Sequence, residues 1–197
     1  MTNIKFAPWK GDHYTEALFG KRILIVGESH YAWEGSGNID EQPDVTTEII
    51  EGVIEGDDHN KFWTNIAIAV LGRKPTSDEK GQFWHKVAFY NYVQCSVGNA
   101  PRIRPTGEQW DHSEPAFFEA LDLLKPELII VLGFQNWENT PSLNFKYDQK
   151  LSTQFDTHTG RYSYNGGCCL AVNIKHPSAG FNGLDWHETI TEAIKLA

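Results

Sequence analysis

The chain has 197 residues, enough for one ordinary domain that buries roughly 70% of its unfolded surface and needs no metal or disulfide staple. Its formal charge of −9 runs against the basic footprint of a general nucleic-acid binder, although Lys86, Arg102, Arg104, Arg161 and Lys175 fall in or near strand-end loops and leave room for a local basic face. Three cysteines, two of them adjacent at Cys168-Cys169, make neither a disulfide framework nor a spaced zinc site; with no apolar leader and no long apolar run, we expect a soluble, cytoplasmic protein rather than a secreted or membrane one.

The first predicted element is the run Ile23-Leu24-Ile25-Val26, which suits a central parallel strand covered on both faces. It stops at Gly27-Glu28-Ser29-His30-Tyr31, a glycine that permits a tight turn followed by reactive side chains, and ligands of open α/β sheets bind at such carboxyl ends. The Gly-rich patch 34–38 is a loop. Asp44 is a candidate N-cap for a helix to about Glu55, with Ile49, Ile50, Val53 and Ile54 as its apolar stripe and an acidic outer face. Asn60 to Leu71 reads as a second helix and Ser77 to Lys86 as a third, whose Ser77-x-x-Lys80 start lacks the acid of a capping box.

Val87 to Val93 reads as the second strand, ending near Asn91. Residues 98–107, with two prolines and two arginines, are a loop; a helix from Ser113 to Leu124 follows, with Pro115 in its first turn and Pro126 stopping it. Glu127 to Leu132 is a third, wholly apolar strand closed by Gly133. The stretch 144–164 is polar and irregular and reads as a hairpin. Cys169 to Ile174 is the last strand, ending at Lys175-His176-Pro177-Ser178, and Leu184 to Leu196 the C-terminal helix. No repeat or linker divides the chain, so the expected fold is a single α/β domain over 1–197, a three-layer α/β/α sandwich on a central, mainly parallel four-stranded sheet.

Three of the four predicted core strands end in polar groups: Glu28-Ser29-His30-Tyr31, Asn91, and His176-Pro177-Ser178. This ordered set, with Phe89 to Cys95, Arg104-Pro105-Thr106 and Lys125 to Gly133 between, resembles the uracil-DNA glycosylase superfamily from Lys21 to about Phe181. The likeness is greatest to its iron-sulfur branch. The resemblance implies hydrolysis, without a cofactor, of the N-glycosidic bond of uracil or another modified base flipped out of DNA. That chemistry builds negative charge on the departing base, so it calls for donors aimed at the base oxygens. By resemblance, His176 donates to the pyrimidine O2, Asn91 reads the N3 and O4 edge with one donor and one acceptor, and Tyr31 stands against C5. Arg102, Arg104, Lys175 and Ser178 would contact DNA, and Phe181 would wedge into the duplex or fold back onto the core.

Several positions depart from the family pattern. Ser29 stands where the best-known branch carries a water-positioning aspartate, so the work falls to Glu28 as general base or cation stabiliser, or to Ser29 or His30 as water orienters. Cys95 matches one cluster ligand, but no cysteine precedes it, so thiolate ligation of iron is not available. No aromatic occurs between Gly35 and Lys61, where the family places its base-stacking phenylalanine, and Trp33 is taken as the substitute.

Three other readings compete with this one. A serine esterase would use Ser29 and His176, though Tyr31 occupies the second glycine of the nucleophile elbow and no triad acid is marked. A metal site would draw on Glu28, His30, His176 and His187, whose spacing carries no metal signature. A non-catalytic module would keep the base or nucleotide pocket and lack the water-activating acid. The expected partner is DNA, single-stranded or as damaged duplex, or a free nucleobase or nucleotide, bound by a monomer away from membranes.

Overall fold

The computed structural model describes residues 2–100, 103–142, 147–178 and 180–197. Four short apolar strands run parallel at its centre: β2 (Ile23–Gly27), β3 (Ala88–Asn91), β4 (Leu128–Leu132) and β7 (Gly167–Ile174). Three further strands, β1 (Trp9–Lys10), β5 (Tyr147–Ser152) and β6 (Asp156–Tyr164), extend them antiparallel to give the order β1-β3-β2-β4-β7-β6-β5. The sheet is therefore mixed and seven-stranded, larger than the four strands expected.

The hairpin expected over 144–164 is present as β5 and β6, but its place in the main sheet, and the strand β1, escaped the sequence reading for a physical reason. A flanking antiparallel strand needs apolar residues on one face only, so β6 alternates buried Thr157 and Thr159 with exposed Asp156 and His158 and looks like a polar loop. Its pairing with β7 covers the edge that β7 would otherwise expose. The start of the expected hairpin, 144–146, lies outside the described residues.

Alternate side chains of each parallel strand enter two different cores, which is why these strands read as unbroken apolar runs. Ile23, Ile25, Leu128, Ile130, Val172 and Ile174 meet α1 (Val45–Glu55), α2 (Lys61–Leu71), α3 (Ser77–His85) and α6 (Gly183–Leu196) on one face. Leu24, Val26, Ile129, Val131 and Ala171 meet α4 (Gly107–Leu124) on the other. Helices thus cover both faces of the sheet.

Helix starts differ from expectation at two places. The cap of α3 is Thr76, not Ser77, and with Glu79 it forms a complete capping box: Glu79 N donates to Thr76 Oγ1 at 3.2 Å and Thr76 N to Glu79 Oε2 at 2.9 Å. Likewise α4 begins at Gly107 behind a Thr106–Gln109 box, which leaves Pro115 inside the helix rather than in its first turn. The short helix α5 (Phe134–Asn139) was not foreseen; its buried Asn136 Nδ2 donates to Val26 O at 3.2 Å and ties it to the end of β2. No helix among the described residues is long and apolar enough to cross a membrane.

Candidate functional site

Parallel pairing gathers the carboxyl ends of the four central strands on one edge of the sheet. Gly27 is in register with Asn91, Val26 with Val131, and Leu132 with Ile174. From β3 to β7 is three strand spacings, about 14 Å. The polar groups singled out in the sequence, at the ends of β2, β3 and β7, therefore line one edge.

At the β3 end, Asn91 and His30 are each only 7% exposed. Asn91 Nδ2 donates to His30 Nε2 at 3.1 Å, and the same nitrogen lies 2.8 Å from the hydroxyl of Thr46, a buried residue in the first turn of α1. The other side of the carboxamide faces β2. A Cβ on Gly27 would collide with Asn91 Oδ1 and stand 2.8 Å from Phe89 Cζ, so glycine is required there for close approach and not, as expected, for a tight turn: Gly27 is the last residue of β2 and has no positive φ. The backbone is held as tightly. Tyr92 N and Val93 N donate to the carbonyls of Gly27 and Glu28 at 3.0 and 2.9 Å, and Gln94 Nε2 donates to Asn91 O at 2.7 Å.

The chain's N-terminal segment closes this end. Lys5 N and Phe6 N both donate to Gln94 Oε1 at 2.9 Å, and the Phe6 ring meets His30 edge-on with centroids 5.1 Å apart. Burial lowers the pKa of His30 to about 4, so its imidazole is neutral near pH 7.

At the β7 end the His-Pro-Ser turn is pinned by α2, whose Asn65 Nδ2 donates to Pro177 O at 3.0 Å, and by Ser178 N donating to His176 O at 2.8 Å. The His176 ring makes no hydrogen bond among the described residues. It lies 5.3 Å from the Phe62 ring at 35°, and Gly133, at φ +99°, leaves room for it: a Cβ there would stand 3.4 Å from His176 Cβ. Burial first, and the Arg104 charge second, hold the His176 pKa below the ordinary histidine value.

Arg104 connects the two ends. Its Nη1 donates to both Glu28 oxygens, at 3.1 and 2.9 Å, with Glu28 12% and Arg104 59% exposed by side chain. The loop that carries Arg104 thus sets a guanidinium on Glu28, with its charge also felt at His176.

The remaining candidates stand further out. Ser29 is half-buried and has no hydrogen bond to His176 among the described residues. Tyr31 and Trp33 are exposed on the loop after β2, and Ser178 is exposed. Lys175 Nζ donates to Gly180 O at 2.7 Å, and Phe181 packs against the core formed with α2 and α6. Arg102 lies outside the described residues. His187 is engaged elsewhere, with Nδ1 3.1 Å from Ala69 O, and no group of three or more side chains able to hold a metal ion occurs among the described residues.

Two contributors were missed from sequence. Phe62 begins one residue past the window searched for a stacking aromatic, and extending that window by a single position finds it. Thr46 carries no signal at all, because a threonine on a helix called acidic and solvated outside its apolar stripe has no reason to be singled out. The chain matches no protein-family model, and no curated protein is similar to it in sequence.

Proposed function

We propose that the chain is a base-excision N-glycosylase of the uracil-DNA glycosylase type, which flips a base into the edge between Asn91 and His176 and hydrolyses its bond to the sugar. The observation that carries this reading is the pairing of a fixed carboxamide at the end of β3 with an unengaged imidazole on the end of β7, backed by the Phe62 ring. A flat heterocycle spanning that gap is read on one edge by Asn91 and held at O2 by His176.

The C1′–N bond breaks with its electron pair moving onto the base, where the O2 anion accepts a hydrogen bond from the His176 N–H. A lowered histidine pKa suits this, because a neutral donor stabilises the anion without protonating it. Water attacks C1′ and gives its proton to Glu28, the carboxylate that directly follows β2 and the one in the run Glu28-Ser29-His30-Tyr31. Arg104 balances the Glu28 charge in the free protein and is exposed enough to reach a phosphate beside the flipped nucleotide.

The test is incubation of the full chain with oligonucleotides carrying uracil, hypoxanthine, 5-substituted pyrimidines and mismatches, scored for abasic sites. Excision from at least one, abolished in Glu28→Gln, supports the proposal. One observation favours a second reading, a base-binding module without catalysis: both Glu28 oxygens are held by Arg104, and Ser29 supplies no second carboxylate. Tight binding of the same oligonucleotides with no abasic product would select it.

A further inference from the structure

His30 is a buried, neutral ring that the proposed chemistry leaves unused, yet it touches the one group that reads the base. Its backbone is held by Val97 N donating to the His30 carbonyl at 3.0 Å, and its ring by Phe6, which meets it edge to face, and by Thr46 at Nε2. With Asn91 Nδ2 donating to Nε2, that nitrogen is an acceptor and the ring proton sits on Nδ1. The Thr46 hydroxyl, 2.8 Å from the same nitrogen, then shares that nitrogen's one lone pair with the amide in a three-centre contact. A carboxamide turned the other way would set Asn91 Oδ1 against the Nε2 lone pair, so the ring tautomer and the amide orientation select each other.

That orientation has a consequence for the base, resting on the proposed function. With O2 toward His176 on β7, N3 comes next along the pyrimidine edge and the substituent on C4 lies farthest, toward β3. Asn91 Oδ1 is on the Gly27 side and Nδ2 on the His30 side. Oδ1 therefore meets N3, and the second Nδ2 hydrogen meets the C4 substituent. Uracil offers N3–H and a carbonyl oxygen there, and both contacts are hydrogen bonds. Cytosine offers a bare N3 and an amino group, and both contacts are repulsive.

We infer that His30, backed by Thr46, is a specificity-determining positioning residue: it fixes which way the Asn91 carboxamide faces and so selects bases with a ring N–H beside a carbonyl over bases with a bare ring nitrogen beside an amino group. Two measurements on the full chain test this. The first is a long-range proton–nitrogen NMR spectrum at pH 7, in which His30 should show Nδ1 protonated and Nε2 bare; a proton on Nε2 overturns the inference.

The second compares excision and binding of single strands carrying deoxyuridine or deoxycytidine. His30→Leu removes the acceptor and should lower the uracil-to-cytosine ratio about tenfold or more. His30→Gln, whose side-chain oxygen is again an acceptor, should restore part of the ratio. Equal loss on both bases in the two variants would mean that His30 is structural only, and overturns it. If the wild-type chain neither excises nor binds any pyrimidine, the proposed function falls and the specificity role falls with it, whereas the NMR measurement still decides whether His30 holds Asn91.

Discussion

The two ends of the candidate site are built on opposite plans. Around Asn91 the side chains are buried and fixed: His30, itself met by Thr46, takes one Nδ2 hydrogen, the Gly27 backbone confines Oδ1, and Gln94 holds the Asn91 carbonyl, which leaves Oδ1 and the second Nδ2 hydrogen without a hydrogen bond among the described residues. Around His176 the backbone turn is pinned but the ring is without a hydrogen bond among the described residues, half-buried, and flanked by a largely exposed arginine. Recognition profits from the first plan, because a reading group that can rotate reads two bases. Stabilising charge that develops only in the transition state profits from the second, because a donor already satisfied in the ground state has nothing left to give.

If the His176 end does the chemistry, His176→Ala should lower kcat by about 10²–10³ with little change in KM, measured in single-turnover excision. A rise in KM alone would reverse the assignment of the two ends. The Asn91 end makes the next largest prediction, through stability. The folded pKa of His30 is about 4 against about 6.5 unfolded, so between those values the unfolded chain binds the extra proton. Stability is full above about pH 6.5 and falls with pH, by about 3 kcal/mol at pH 4. Urea titrations across this range should show the slope in the wild type and its reduction in His30→Leu, with His176 adding a slope of the same sign to both.

Gly27→Ala sharpens the contrast from the backbone side. The new methyl displaces the Asn91 oxygen, so a cost of about 1–3 kcal/mol in stability and a loss of base discrimination are expected together, while the His176 turn is untouched. Stability lost without any change in discrimination would detach Gly27 from the reading of the base. Phe62→Ala removes the ring packed against His176 and should cost about 1 kcal/mol, seen as a lower kcat with little change in KM. The smallest effect is expected for Arg104→Ala, whose exposed ion pair contributes under about 1 kcal/mol to stability. Its signature is instead a shallower salt dependence of DNA binding.

Much of this frame was legible before any coordinates. The four central strands declare themselves because a parallel strand buried on both faces has nowhere to put a polar residue, and the polar groups that end them mark the edge where ligands bind. The helix starts were less legible: the boxes at Thr76–Glu79 and Thr106–Gln109 are spelled in the sequence but lie just ahead of where the apolar stripes draw attention. The pair β5 and β6 was legible as a hairpin, but its membership of the sheet was hidden because half-buried antiparallel ribbons and polar loops share a composition.

The sequence by itself determined the α/β class, the central strands and the candidate residues at the ends of β2, β3 and β7, since strand burial and strand termination are local properties. Only the tertiary structure decided what those residues do to one another. The partners that matter come from distant parts of the chain: Thr46 from α1 and Phe6 from the N-terminal segment act on His30, Phe62 from α2 acts on His176, and Arg104 acts on Glu28. Hydrogen bonding and desolvation act over a few ångströms in space, without regard to distance along the chain, so the orientation of Asn91 exists only once the helices have closed over the sheet.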